Sequence, residues 1–214
     1  YLKHVSADRK HRYAFIPGVF IAPDRSNSHA FFQVLDGMNA QYEYIRFPLQ
    51  DFGYVDKKFQ GNLSHNRFGL RGLSLDLKGQ KFQIQGELNY LDPVRFPVTF
   101  SSPGIMGPFA YTPFMECYHG LVSLNHGLQG ALTINGRNVD FTGGKGYIEK
   151  DWGRNFPSAY FWMQSNHFKQ EGSLFASAAR IPYITGSFTG FIMALYFDNQ
   201  LLRFATYTGA RLVD

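Results

Sequence analysis

The stretch Leu128-Gln-Gly-Ala-Leu-Thr-Ile-Asn-Gly-Arg-Asn-Val-Asp-Phe-Thr142 decides the fold class. Leu128 to Ile134 is rich in apolar and β-branched residues, Asn135-Gly136 is the strongest short hairpin signal, and Val139 to Thr142 pairs back. Outward in both directions the same period of two recurs. Tyr13 to Ile21, Ala30 to Leu35, Gln41 to Phe47, Leu70 to Leu77, Phe82 to Leu88 and Leu121 to Leu124 read as strands. So do Tyr160 to Phe168, Ser173 to Ile181, Ser187 to Phe197 and Leu201 to Tyr207, with Asp36-Gly37, Lys78-Gly79 and Asp198-Asn199 as further turns. No segment carries a capped amphipathic helix. The pattern predicts a mostly antiparallel all-β chain of about a dozen strands, spaced as in a sandwich or barrel.

Composition narrows the function classes. The chain has 214 residues, 17% aromatic and only 17% charged, with 22 Phe and 13 Tyr. Such a chain wants either a deep core or an apolar cavity. The formal charge of +5 is scattered apart from Lys3 to Arg12, whereas a nucleic-acid footprint needs a clustered stripe; no nucleic-acid partner is expected. No run approaches a transmembrane helix in length, and no signal-peptide pattern appears. The single cysteine, Cys117, excludes a disulfide scaffold and a cysteine-rich zinc site. A reducing compartment fits. The expected localisation is cytoplasmic or peripheral to a membrane, and the oligomeric state stays open. Residue 1 is Tyr, not Met, and Arg203 to Asp214 is strand-like, so a processed chain or fragment is expected.

The candidate chemistry gathers in three places. Gly143-Gly144-Lys145 imitates a phosphate loop, but Val139 stands where its first Gly belongs and Gly146 where Ser or Thr follows the Lys. Glu149 and Asp151 are the stronger pair. In an extended Tyr147-Ile-Glu-Lys-Asp151 both carboxylates share one face and Lys150 takes the other. Two close carboxylates beside Trp152 would keep one proton near neutral pH, giving a general acid; the alternative is a charged strand end meeting water or a salt bridge. On Tyr160-Phe-Trp-Met-Gln-Ser-Asn166, the residues Tyr160, Trp162, Gln164 and Asn166 share a face, as in an apolar pocket with polar anchors, or as in cross-strand surface pairs. Glu116, Tyr118 and His119 follow a Pro/Gly-rich stretch, Asp92 to Pro113, that reads either as a pocket rim or as a plain connector. Cys117 and His119 share a strand face, but a buried, inert thiol is the simpler reading of Cys117. The histidines have no metal-ligand spacing, so neither metal nor cofactor is expected.

The run Gly146-Tyr-Ile-Glu-Lys-Asp-Trp-Gly-Arg-Asn-Phe-Pro157, followed by Tyr160-Phe-Trp-Met-Gln-Ser-Asn166, resembles the tocopherol cyclase family. Plant and cyanobacterial members carry Tyr, one residue, Glu-Lys-Asn-Trp-Gly, then Phe-Pro and an aromatic-Trp-x-Gln stretch; here Asp151 replaces the Asn. Ser102 to Gly107, Pro113 to Gly120 and Phe204 to Gly209 look like the uncharacterised bacterial branch. The resemblance implies two lipocalin-like β barrels in tandem, the first over 1–117 with N-terminal strands missing, the second, partial, over 118–214. It also implies an apolar isoprenoid or aromatic ligand and proton chemistry at an alkene: cyclisation of a prenyl quinol to a chromanol, or hydration, without a cofactor. Asp151 or Glu149 would be the acid. Trp152, Trp162 and Tyr160 would shield the cation, Gln164 and Asn166 would orient the quinol, and Tyr147, Glu116, Tyr118 and His119 would complete the pocket. The alternatives from other classes are a non-catalytic lipocalin-like carrier of a lipid or pigment, and an interaction module.

Overall fold

A computed structural model describes residues 1–113, 115–183 and 186–213; Phe114, which falls in one of the family-like segments, lies outside the described residues. The strands are β1 (Leu2–Val5), β2 (Arg12–Phe20), β3 (His29–Asp36), β4 (Gln41–Phe47), β5 (Phe52–Tyr54), β6 (Gln60–Leu63), β7 (Asn66–Gly69), β8 (Gly72–Lys78) and β9 (Gln83–Arg95). They continue with β10 (Cys117–Ile134), β11 (Arg137–Asp140), β12 (Lys145–Gly153), β13 (Tyr160–Ser165), β14 (Gly172–Tyr183), β15 (Gly186–Phe197) and β16 (Gln200–Ala205). Only three short 3-10 turns interrupt them among the described residues, so the protein is all-β and antiparallel, consistent with lipocalin-like barrels. Among the described residues no helix is long and apolar enough to cross a membrane.

One sheet has the order β4-β3-β2-β1-β12-β10-β9-β8-β7-β6-β5, with β11 paired to β10; the other runs β13-β14-β15-β16. The chain divides into two compact units, one of residues 1–93 and 126–148, the other of 94–125 and 149–214. They are interleaved in sequence because β10 and β12 each contribute one part to the first unit and one part to the second.

The hairpin read from Asn135-Gly136 is present. Ile134 faces Arg137 across it, and Asn135 and Gly136 take φ of 49° and 77°, the left-handed pair that a two-residue type I′ turn requires. Alternation sets the core of the first unit. β3 buries every second residue, Ala30, Phe32, Val34 and Asp36, and β8 buries Leu73, Leu75 and Leu77. Phe15, Phe82, Phe141 and Tyr147 fill the space between. Polar groups share this core: His4 Nε2 and the Tyr90 hydroxyl form a 2.6 Å hydrogen bond, and the Tyr90 ring lies 4.3 Å from that of His126. Burial, and secondarily the charge of His126, holds His4 well below the ordinary imidazole range.

Two differences from the sequence reading have local causes. β1 and β5–β7 are additional strands of three or four residues, too short for alternation to reveal. β9 runs on through Pro93, into the Pro/Gly-rich stretch that predicted a long loop or an edge segment. The β8 ladder ends at Gly72 opposite Asn89, so Pro93 lies beyond it.

Candidate functional site

The second unit contains a cavity of about 480 Å³, within the usual range for a small-molecule site. Its walls come from several elements. The 3-10 turn Gly107–Tyr111 and its flanks give Met106, Phe109, Thr112, Pro113 and Met115. The start of β10 gives Glu116, Cys117 and His119, and β12 gives Asp151. Phe156, Pro157, Tyr160 and Trp162 follow on and before β13, and small side chains on β14 and β15 (Ser177, Ala179, Gly190) leave the volume open. Thr206 and Tyr207 complete it. Phe156 and Tyr160 line the cavity yet stay well exposed, their rings 6.0 Å apart, so they frame its mouth.

Strand alternation sorts the chemistry. β10 and β12 are neighbours in the sheet. Tyr118 stacks on Trp152 with ring centroids 5.5 Å apart and planes at 9°, and the Lys150 ammonium lies 4.8 Å over the same indole. Cys117, His119, Glu149 and Asp151 take the opposite parity and the opposite face. There His119 Nδ1 lies 2.6 Å from Asp151 Oδ1, a short hydrogen bond, and His119 Nε2 lies 3.7 Å from Glu149 Oε2. The Trp162 indole N–H donates to that same Glu149 oxygen at 3.2 Å. The His119 ring stacks on Phe175 at 4.8 Å, which fixes its plane. The His119 side chain is 13% exposed and that of Glu149 only 6%, while Asp151, at 31%, faces the cavity. The result is a carboxylate–imidazole–carboxylate row with one end at the cavity wall and the other buried behind an indole.

Several predicted residues meet here, and several do not. Glu116, His119, Asp151, Tyr160 and Trp162 line the cavity, and Glu149 stands directly behind them. Trp152 and Tyr118 lie on the other face of their strands, in the stack just described. Gln164 continues the Tyr160–Trp162 face, but its amide reaches Ser173 Oγ at 3.4 Å. Asn166 follows the end of β13, fully buried, and donates to Asn125 Oδ1 at 3.1 Å; Asn125 in turn donates to Glu171. Neither amide is among the cavity-lining groups. Tyr147 belongs to the first unit's core. Burial, reinforced by the Asp151 charge, pushes the Cys117 thiol up to about 11, so at neutral pH it stays protonated and is a poor nucleophile. Among the described residues no three His, Cys, Asp or Glu side chains form a cluster able to hold a metal ion.

Sequence reasoning missed Met106, Phe109, Phe156, Pro157 and the β14–β15 wall. Phe156-Pro157 was visible as part of the quoted motif. The small residues Ser177 and Ala179, two apart on a strand, were the available signal that something other than a packed core faces them.

The protein is thus an all-β scaffold with an apolar, aromatic-lined cavity and an acidic row at its wall. The chain belongs to the tocopherol cyclase-like family, whose sequence profile matches residues 81–210, more than half of it. Among curated protein sequences none matches the chain.

Proposed function

We propose that the cavity of the second unit takes a hydrophobic prenylated or aromatic ligand and that the acidic row beside it protonates an alkene of that ligand, leading to ring closure or hydration. The observation that carries this reading is the row itself: Asp151 at the cavity wall, His119 against it, and Glu149 buried behind. A carrier needs only the apolar volume. A proton donor for an alkene needs a carboxylic acid held at the cavity wall.

The chemistry follows in order. A trisubstituted alkene accepts a proton from the acid, a C–H bond forms, and a tertiary cation is left. The faces of Trp162, Tyr160 and Phe156 are the groups on the cavity wall that attract a cation. A phenol oxygen of the same ligand closes onto the cation and loses its proton, or water does so in a hydration. Confinement of phenol and alkene in one cavity removes much of the entropic barrier. The ligand is a neutral, largely apolar molecule, since Glu116 and Asp151 line the cavity and, among the described residues, no Lys or Arg does.

Product analysis by liquid chromatography and mass spectrometry tests this. The protein is incubated with a phytylated benzoquinol beside Asp151→Asn and Glu149→Gln. Ring closure leaves the mass unchanged, shifts retention and blocks reoxidation to the quinone. The reading expects a chromanol peak that at least one of these variants loses. Binding without product would favour the carrier reading, and neither binding nor product would remove both.

A further inference from the structure

We infer that His119 is a proton conduit: Asp151 is the group that gives its proton to the ligand, Glu149 is the buried reservoir behind it, and the imidazole passes protons between them. This rests on the proposed acid chemistry and assigns the parts within it.

The geometry separates the two carboxylates by role. Asp151 lines the cavity and is partly exposed, so its outer oxygen can reach a ligand; Glu149 is shielded by Trp162 and His119 and cannot. His119 bridges the two, with Nδ1 on Asp151 Oδ1 at 2.6 Å and Nε2 toward Glu149 Oε2 at 3.7 Å. A histidine held at Nδ1 by one carboxylate, facing a second across 3.7 Å from Nε2 and clamped flat on Phe175, is positioned for transfer rather than for ligand contact alone. With Nδ1–H donated to Asp151, Nε2 faces Glu149 Oε2 as an acceptor at 3.7 Å, and the conduit places one proton on Glu149 to meet it. Closing the 3.7 Å gap to hydrogen-bond length needs a shift of about 1 Å in the Glu149 side chain.

The steps balance. The Asp151 O–H bond breaks as the alkene C–H bond forms, leaving a carboxylate and a carbocation. Nδ1 passes its proton to Asp151 Oδ1 while Glu149 Oε2 passes its own to Nε2. The imidazole ends neutral with its proton on Nε2, Asp151 is again an acid, and the negative charge rests on Glu149. A carboxylate touching a tertiary cation can collapse onto it as an ester; moving the charge behind His119 and Trp162 removes that route. When the ring oxygen releases its proton to Asp151, the same moves run backwards and restore the starting state. The titratable groups around His119 are Glu149 and Asp151 from β12, Cys117 on its own strand and Glu116 just before it; Trp162 of β13 and Phe175 of β14 add none.

The test is a double-variant cycle on the wild-type chain, His119→Gln, Glu149→Gln and the pair, read as the rate of chromanol formation from a phytylated benzoquinol. Gln at 119 keeps a donor toward Asp151 but cannot pass a proton through. A conduit predicts a loss of roughly 100-fold for each single variant and no further loss for the pair, because both cut the same wire. Losses that multiply would overturn it, as would an unaffected His119→Gln. If the wild-type chain itself makes no chromanol, the proposed function fails on that substrate, and imidazole nitrogen-15 resonances then decide the conduit alone. It requires Nδ1 protonated at rest and a shift of the Nε2 signal in Glu149→Gln; an unprotonated Nδ1 or an unmoved Nε2 overturns it.

Discussion

Acid should loosen the first unit through one residue. His126 is 1% exposed, and burial lowers its imidazole from 6.5 to about 3. In the unfolded chain it titrates near 6.5. Between those values the unfolded chain holds a proton that the folded one refuses, so protonation favours unfolding. The stability that His126 contributes as a neutral group is present in full above about pH 6.5 and is lost as pH falls toward 3. One proton gives a slope of about 1.4 kcal/mol per pH unit, so the fall from pH 6.5 to 4.5 costs roughly 2 to 3 kcal/mol. His4, shifted in the same direction, steepens the loss. Both tryptophans lie in the second unit, so indole fluorescence does not report this event. Hydrogen exchange does, read by mass spectrometry on peptides covering β1, β2 and residues 126–148. Protection there should fall about tenfold per pH unit more steeply in the wild type than in His126→Gln, after correction for intrinsic exchange. Parallel pH dependences in the two proteins would refute the burial argument.

Other expectations are smaller in scope. Gly146→Ala places a methyl carbon 2.1 Å from His126 Nε2; over-packing of that kind costs about 1–3 kcal/mol, read as a lower urea midpoint, and truncating the partner in Gly146→Ala/His126→Ala should make the glycine substitution less costly. Trp162→Phe removes the indole N–H from Glu149. A lost bond to a charged or buried acceptor costs about 1.5–3 kcal/mol, so the urea midpoint followed by circular dichroism should fall. Cys117, with its thiol near 11 against an ordinary 9.0, should alkylate with iodoacetamide about 100-fold more slowly at pH 8 than an unperturbed thiol, in proportion to its thiolate fraction. An apolar ligand in the cavity should slow it further.

The sequence carried the fold class well because antiparallel strands write their faces directly into alternation, as at β3 and β8, and because Asn135-Gly136 states its own turn geometry. It carried the acidic face of β12 for the same reason: Glu149 and Asp151 are two apart in an extended run. What it could not carry was the far side of each contact. His119 and Asp151 are separated by 32 positions, and nothing local says that β10 and β12 lie side by side. Parity also cannot say which face of a strand meets a cavity. Trp152 looked like a pocket residue by proximity to the acids, yet the alternation that joins Glu149 to Asp151 sends it the other way, onto Tyr118. Gln164 and Asn166 had the right polarity for anchors, but amides near strand ends are equally suited to holding the chain to itself, and their bonds to Ser173 and Asn125 do that. The interleaving of the two units was illegible because an 18-residue strand such as β10 reads as one element however many units it serves.

The most direct test of the account is whether the cavity of the second unit is the ligand site. In a Trp152→Phe protein, Trp162 is the sole indole, and it lines that cavity. Titration with a phytylated benzoquinol should give a saturable change in its emission, abolished when Ala179→Phe on the neighbouring strand fills the volume. Emission that does not change on saturation, or that changes equally in the Ala179→Phe protein, would contradict the assignment of the site.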